Sequence, residues 1–204
     1  MGSVAGTRPE SALERFLPHP EVTERYATTV EAPATLVMET AVRTDLQALP
    51  LVRGIFRLRE RLMRASRLPP RTPRGMLEEL TDLGWGILAD EPGRLIVGGA
   101  VCQPWNADVV FRAIPAADFA AFAEPGLVKI AWTLEAIPLT SERTRFATET
   151  RVAPTDESAR ARFRRYWRWA RFGIVTIRLL LLPAVRKEAE RQWRRRAPAA
   201  PAGA

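Results

Sequence analysis

The feature that most constrains this chain is a switch in hydrophobic period at Thr155. Before it, Lys129 to Ile137 and Thr144 to Val152 alternate with period two, the signature of strands with one buried face. Pairing Trp132 with Thr150, Leu134 with Thr148 and Ala136 with Phe146 makes them one hairpin. Ile130, Trp132, Leu134, Phe146 and Val152 then share a face with Thr148 and Thr150. The opposite face carries Thr133, Glu135, Arg145, Glu149 and Arg151, which reads as a solvated cross-strand charge network. A slip of one residue would mix the two faces, so the register is strongly specified. After Thr155 the period becomes 3.6. Phe163, Tyr166, Trp167, Ala170, Ile174, Ile177, Leu181 and Val185 form a continuous stripe along one long helix. Thr155 is the expected cap, with Asp156 and Glu157 favoured in the first turn. Gly173 is expected to bend the helix and Pro183 to kink or interrupt it.

Upstream, Thr23 to Glu31 alternates, with Tyr26, Thr28 and Val30 on one side, and predicts a first strand. Ala32-Pro33 opens a short helix to about Val42. Leu51, Ile55, Leu58 and Leu62 share one face of a second helix over Leu51 to Arg64. Residues 66–75, with three prolines, read as an exposed loop. Trp85 to Ala89 and Leu95 to Cys102 flank the turn sequence Asp90-Glu91-Pro92-Gly93. Gly98-Gly99 marks a bulge or a close approach to something bulky. Val109 to Ile114 reads as a further strand and Asp118 to Phe122 as a helical turn. Residues 1–22 read as a flexible arm, 23–196 as one domain, and 197–204 as a disordered tail.

Composition narrows the chemistry. One cysteine, Cys102, rules out an internal disulfide framework and a cysteine-cluster zinc site. One histidine, His19, lies between two prolines and reads as an exposed loop residue. No Gly-x-Ser-x-Gly, P-loop or His-Glu-x-x-His pattern occurs, and Gly84-Trp85-Gly86 opens no helix. No metal and no cofactor is expected, and no catalytic set is identified. Charge is uneven: from Arg151 onward 13 Arg and 1 Lys face 4 acids, whereas residues 1–150 hold 17 bases and 19 acids. The apolar run Gly173 to Val185 is 13 residues long, short of the roughly 20 that a spanning helix needs. A cytoplasmic protein, with at most peripheral membrane contact, is expected.

The order strand, two helices, antiparallel strands, long helix resembles the helix-grip fold of the START-like, or SRPBCC, superfamily, which includes the polyketide cyclases and dehydrases. The wording of Val30-Glu31-Ala32-Pro33, of Gly84 to Arg94, of Ala131-Trp132-Thr133-Leu134, of Thr148 to Val152 and of Phe163-Arg164-Arg165-Tyr166-Trp167 is similar to bacterial members. The resemblance spans roughly residues 22–190. It implies an α+β fold: a curved antiparallel sheet of about six or seven strands wrapped around a long C-terminal helix, with a helical insertion after the first strand. It also implies an apolar cavity between sheet and helix, and no single activity.

The expected function is therefore binding of a small hydrophobic molecule or lipid in that cavity. Trp132, Phe146, Thr148, Thr150, Tyr166 and Trp167 are the candidate wall residues; the same side chains would equally serve as core packing. A cyclase-like activity would need an acid or base inside, and Asp108 is the candidate. The second reading concerns the helix surface. Arg164, Arg165, Arg168, Trp169 and Phe172 fit a basic, aromatic face that lies on an anionic membrane. Trp169, Phe172, Leu179 and Leu182 fall outside the core stripe and would meet a bilayer, a second subunit or the helix near Leu58. Nucleic acid is an unlikely partner, since no recognised motif is present.

Overall fold

The computed structural model describes residues 11–45 and 75–196. Five strands form one antiparallel sheet: β1 (Val22–Val30), β2 (Gly86–Glu91), β3 (Leu95–Cys102), β4 (Val128–Thr140) and β5 (Arg143–Pro154). Their spatial order is β1-β5-β4-β3-β2. Four helices accompany them: α1 (Ala34–Arg43), α2 (Met76–Asp82), α3 (Ala116–Phe119) and α4 (Glu157–Arg196). The protein is α+β, a curved antiparallel sheet with a 40-residue C-terminal helix.

The hairpin register follows from side-chain parity. Trp132 pairs Thr150, Leu134 pairs Thr148 and Ala136 pairs Phe146, as the alternation requires. β1 closes the outer edge with Tyr26 opposite Thr148 and Val30 opposite Thr144. The face bearing Leu134, Ala136 and Phe146 packs against Leu36, Val37 and Met38 of α1 and Leu181, Leu182 and Val185 of α4. A second cluster on this face joins Val128 and Val152 to Phe163, with Tyr166 and Trp167 packed against it.

The expected solvated charge network on the other face is not solvated. Leu13, Phe16 and Leu17 are buried in a cluster with Leu88, Leu95, Val97, Phe119 and Ala131. Residues from Ser11 onward therefore form a turn packed on the sheet, where a loose arm over 1–22 was expected. Beneath it, Glu149 and Arg151 are buried. Arg151 Nε donates to Glu149 Oε1 at 2.8 Å, and its Nη1 donates to Glu14 Oε2 at 2.6 Å and to the Leu17 carbonyl at 2.8 Å. Arg25 reaches Glu149 at 3.2 Å, while Glu135 instead lies 3.9 Å from Arg94. Burial draws the Arg151 guanidinium down, but the bonds and charges of Glu14 and Glu149 outweigh it and hold the group above its ordinary value.

Other expectations need correction. Val109 to Ile114 is no strand: it makes one bridge, Arg112 to Val101, at the end of β3 beyond the reach of β2. The described residues thus give five strands, not six or seven. Asp156, not Thr155, caps α4, because its Oδ1 accepts the Ala159 N–H at 2.7 Å. The Thr155 hydroxyl is used up in donating to the Leu127 carbonyl at 2.9 Å. These donors, Ala159 first and then Gly126, hold the Asp156 carboxyl below the usual carboxylate range. α4 runs through Pro183 without interruption. Pro183 supplies no N–H to the Leu179 carbonyl, and Leu179 is exposed on the side of α4 away from the core. Leu182 is buried in the core. α2 was not anticipated from the sequence. It ends at Gly84, where φ is +96° and a Cβ would fall 2.3 Å from the Phe111 carbonyl oxygen, so no side chain fits. The helix expected over Leu51 to Arg64 and the tail over 197–204 lie outside the described residues.

Candidate ligand site

One row of residues crosses all five strands on the face that α4 covers. Register pairs Glu24 with Thr150, Thr150 with Trp132, Trp132 with Gly98, and Gly98 with Ile87. The neighbouring row brings Tyr26 beside Thr148 and Thr148 beside Leu134. Phe163 anchors α4 at one end of the sheet and Leu181 at the other. The intervening 18 residues, about 27 Å of helix, run along the β1–β5 side of this face, while α1 packs over β4 and β5.

Trp132 is the centre of this arrangement. Its indole lies directly on Gly98, where a Cβ would fall 2.2 Å from Cζ2 and 2.9 Å from Nε1. The close approach that the Gly98-Gly99 pair suggested is therefore real, and it is to a tryptophan. Trp85 meets the same ring edge-on at 6.3 Å and itself lies 4.9 Å from Phe111. Trp132 is only 8% exposed, yet its Nε1–H has no acceptor among the described residues. A buried donor left unmet costs about 1–3 kcal/mol, so such a group calls for an explanation.

The six predicted wall residues separate into three groups. Trp132, Thr148 and Thr150 are brought together in the two rows, all buried. Phe146 faces the same side but is wholly enclosed by the core formed with α1 and α4. Tyr166 and Trp167 lie at the far end of the face, half-buried. There Trp167 stacks on Phe163 with centroids 5.6 Å apart, which makes it a packing residue. Asp108 is exposed on the loop after β3. Glu24 places a carboxylate on this face, half-buried and accepting a hydrogen bond from the Tyr26 hydroxyl at 2.9 Å. The sequence carried its signal, since Glu24 has the parity of Tyr26, Thr28 and Val30.

Of the predicted surface set, Arg164 is turned to Glu21 at 2.6 Å, whereas Arg165, Arg168, Trp169 and Phe172 are exposed. Among the described residues no group of His, Cys, Asp and Glu is placed to hold a metal. A groove of about 270 Å³ opens between α1 and the end of α4, but Glu39, Arg43, Glu188, Gln192 and Arg196 make its lining polar.

No family model matches this chain, and no curated protein does. Solved structures similar to it include the ZhuI aromatase/cyclase of Streptomyces sp. R1128, at 18% identity over 86% of this chain and 96% of that one, with a TM-score of 0.32. A protein of Deinococcus radiodurans is 20% identical over 75% of this chain and 99% of its own, with a TM-score of 0.31. Ara h 8.0201 is 11% identical over 82% and 97%, with a TM-score of 0.26. Values of this size carry no ligand, activity or family over to this chain.

Proposed function

We propose that this protein is a helix-grip protein of the START-like superfamily. It binds a small, largely apolar molecule between the sheet and the C-terminal helix. The observation that carries this reading is the Trp132 indole N–H, buried and without an acceptor among the described residues, in a row that also holds Thr150 and Glu24, the latter bonded to Tyr26. A site of this kind needs apolar walls and a few polar groups that fix orientation. Here Trp132, Trp85 and Ile87 supply the apolar surface. The indole selects a ligand with an acceptor, such as a carbonyl, ether or phenolate oxygen, against one that is purely hydrocarbon.

Titration with anilinonaphthalene sulfonate, an apolar fluorophore that carries an acceptor, tests the reading. The full chain should bind it saturably, and Trp132→Phe, which keeps a ring and removes the donor, should weaken binding by roughly threefold to tenfold. Absence of saturable binding would overturn the function. Equal affinity in the variant would move the site away from Trp132.

A further inference from the structure

The outward face of α4 is a second, independent feature. Trp169, Phe172 and Leu179 are 79%, 63% and 55% exposed. At 100° per residue they fall within an arc of about 80°, together with the half-buried Thr176. Phe163, Leu181 and Val185 occupy the opposite, sheet-facing side. The exposed stripe is therefore no overflow of the core. Arg162, Arg165 and Arg168 flank its N-terminal half, and Arg186 and Lys187 follow its end, all exposed. No acidic residue occurs between Ser158 and Lys187, a stretch holding 9 Arg and Lys. Arg160 and Arg164 are paired with Glu21, but Arg162, Arg165 and Arg168 meet no carboxylate among the described residues.

We propose that this face docks on an anionic lipid bilayer, with Trp169, Phe172 and Leu179 entering the interface and the flanking arginines meeting the lipid phosphates. Charge complementarity selects the occupant. A second copy on the same face would add another nine Arg and Lys of Ser158–Lys187 with no acid in that stretch to meet them, at a net charge of +8 per chain. A nucleic-acid backbone would satisfy the arginines but leave an apolar stripe about 15 Å long in water, from Trp169 to Leu179. An interfacial helix with aromatic and aliphatic residues on one face and arginines at its borders fits a bilayer surface on both counts. No described helix is long and apolar enough to cross a membrane, which agrees with lying on one.

Flotation of the full-length protein with phosphatidylcholine vesicles, with and without phosphatidylserine, tests this. Binding should require phosphatidylserine and fall steeply with salt. Arg162→Gln, Arg165→Gln and Arg168→Gln together should weaken it about a hundredfold, near fivefold for each charge near the surface. Trp169→Ser with Phe172→Ser should abolish the part that survives high salt. Both sets lie at exposed positions, so circular dichroism should match the parent. Three results would overturn the proposal: equal binding to neutral vesicles, no binding to either, or unchanged binding in both variants. It would also fall if sedimentation showed a dimer that the Trp169→Ser chain fails to form, or if a single-stranded oligonucleotide displaced the protein from vesicles. None of these outcomes bears on the Trp132 site.

Discussion

Replacing Arg151 by methionine should destabilise the protein by about 3 kcal/mol, the lower end of the range for removing one partner of a buried ion pair. The figure comes from what the substitution leaves behind. Arg151 is 9% exposed and satisfies two carboxylates and the Leu17 carbonyl. Methionine fills the stem volume but supplies no donor. Glu149, whose side chain is 5% exposed, then depends on Arg25 alone, at 3.2 Å and 38% exposed. That remaining cation is why the lower end of the range applies. For a chain of this size the melting temperature should fall by roughly 6–12 °C. Urea unfolding followed by far-ultraviolet dichroism measures the loss, and the slope should not change. Residues 11–17 should also become more accessible to protease in the native state, because Glu14 and Leu17 lose their anchor. Arg151→Met combined with Glu149→Gln should recover part of the loss, since the charge left unpaired is then gone. A single-variant loss below about 1 kcal/mol would refute the claim that this cluster is desolvated and leave an ordinary surface pair.

Three other perturbations follow from the same geometry. Gly98→Ala should cost about 1–3 kcal/mol in urea unfolding and shift tryptophan fluorescence, because the new methyl occupies the position of the Trp132 ring. Phe16→Ala should lose about 3 kcal/mol and raise hydrogen exchange along the outer face of β3, since Phe16 is buried edge-on against Phe119 at 6.3 Å. The depressed Asp156 carboxyl contributes stability that is present above the ordinary carboxylate pKa and is lost as pH falls through its folded value. Asp156→Asn should therefore flatten the acid limb of the stability–pH profile below about pH 4, as a urea series at successive pH values would show.

The inner face of this fold was legible because parity alone fixes it. Once Trp132 stands opposite Thr150, the positions of Leu134, Phe146 and Val152 follow, and the structure keeps each one. The outer face was misread because alternation tells which side a residue takes, not what covers that side. Glu149 and Arg151 look solvated until Leu13, Phe16 and Leu17, whose spacing of three and four is that of a helical turn, are laid over them. Of the kink or interruption expected at Pro183, the interruption does not occur: α4 continues through it, and Leu179, whose carbonyl loses its donor there, is exposed. Of the site, Trp132, Thr148 and Thr150 could be read from one hairpin. Glu24 needed the pairing of β1 with β5, and the demotion of Tyr166 and Trp167 needed the position of Phe163, both set by tertiary packing.

Native mass spectrometry of the freshly purified protein tests the central claim most directly. The binding account predicts a second species heavier by the mass of one small molecule, released by denaturation into an organic extract and depleted in Trp132→Phe. The chain mass alone, in protein that also fails to take up anilinonaphthalene sulfonate, would contradict it.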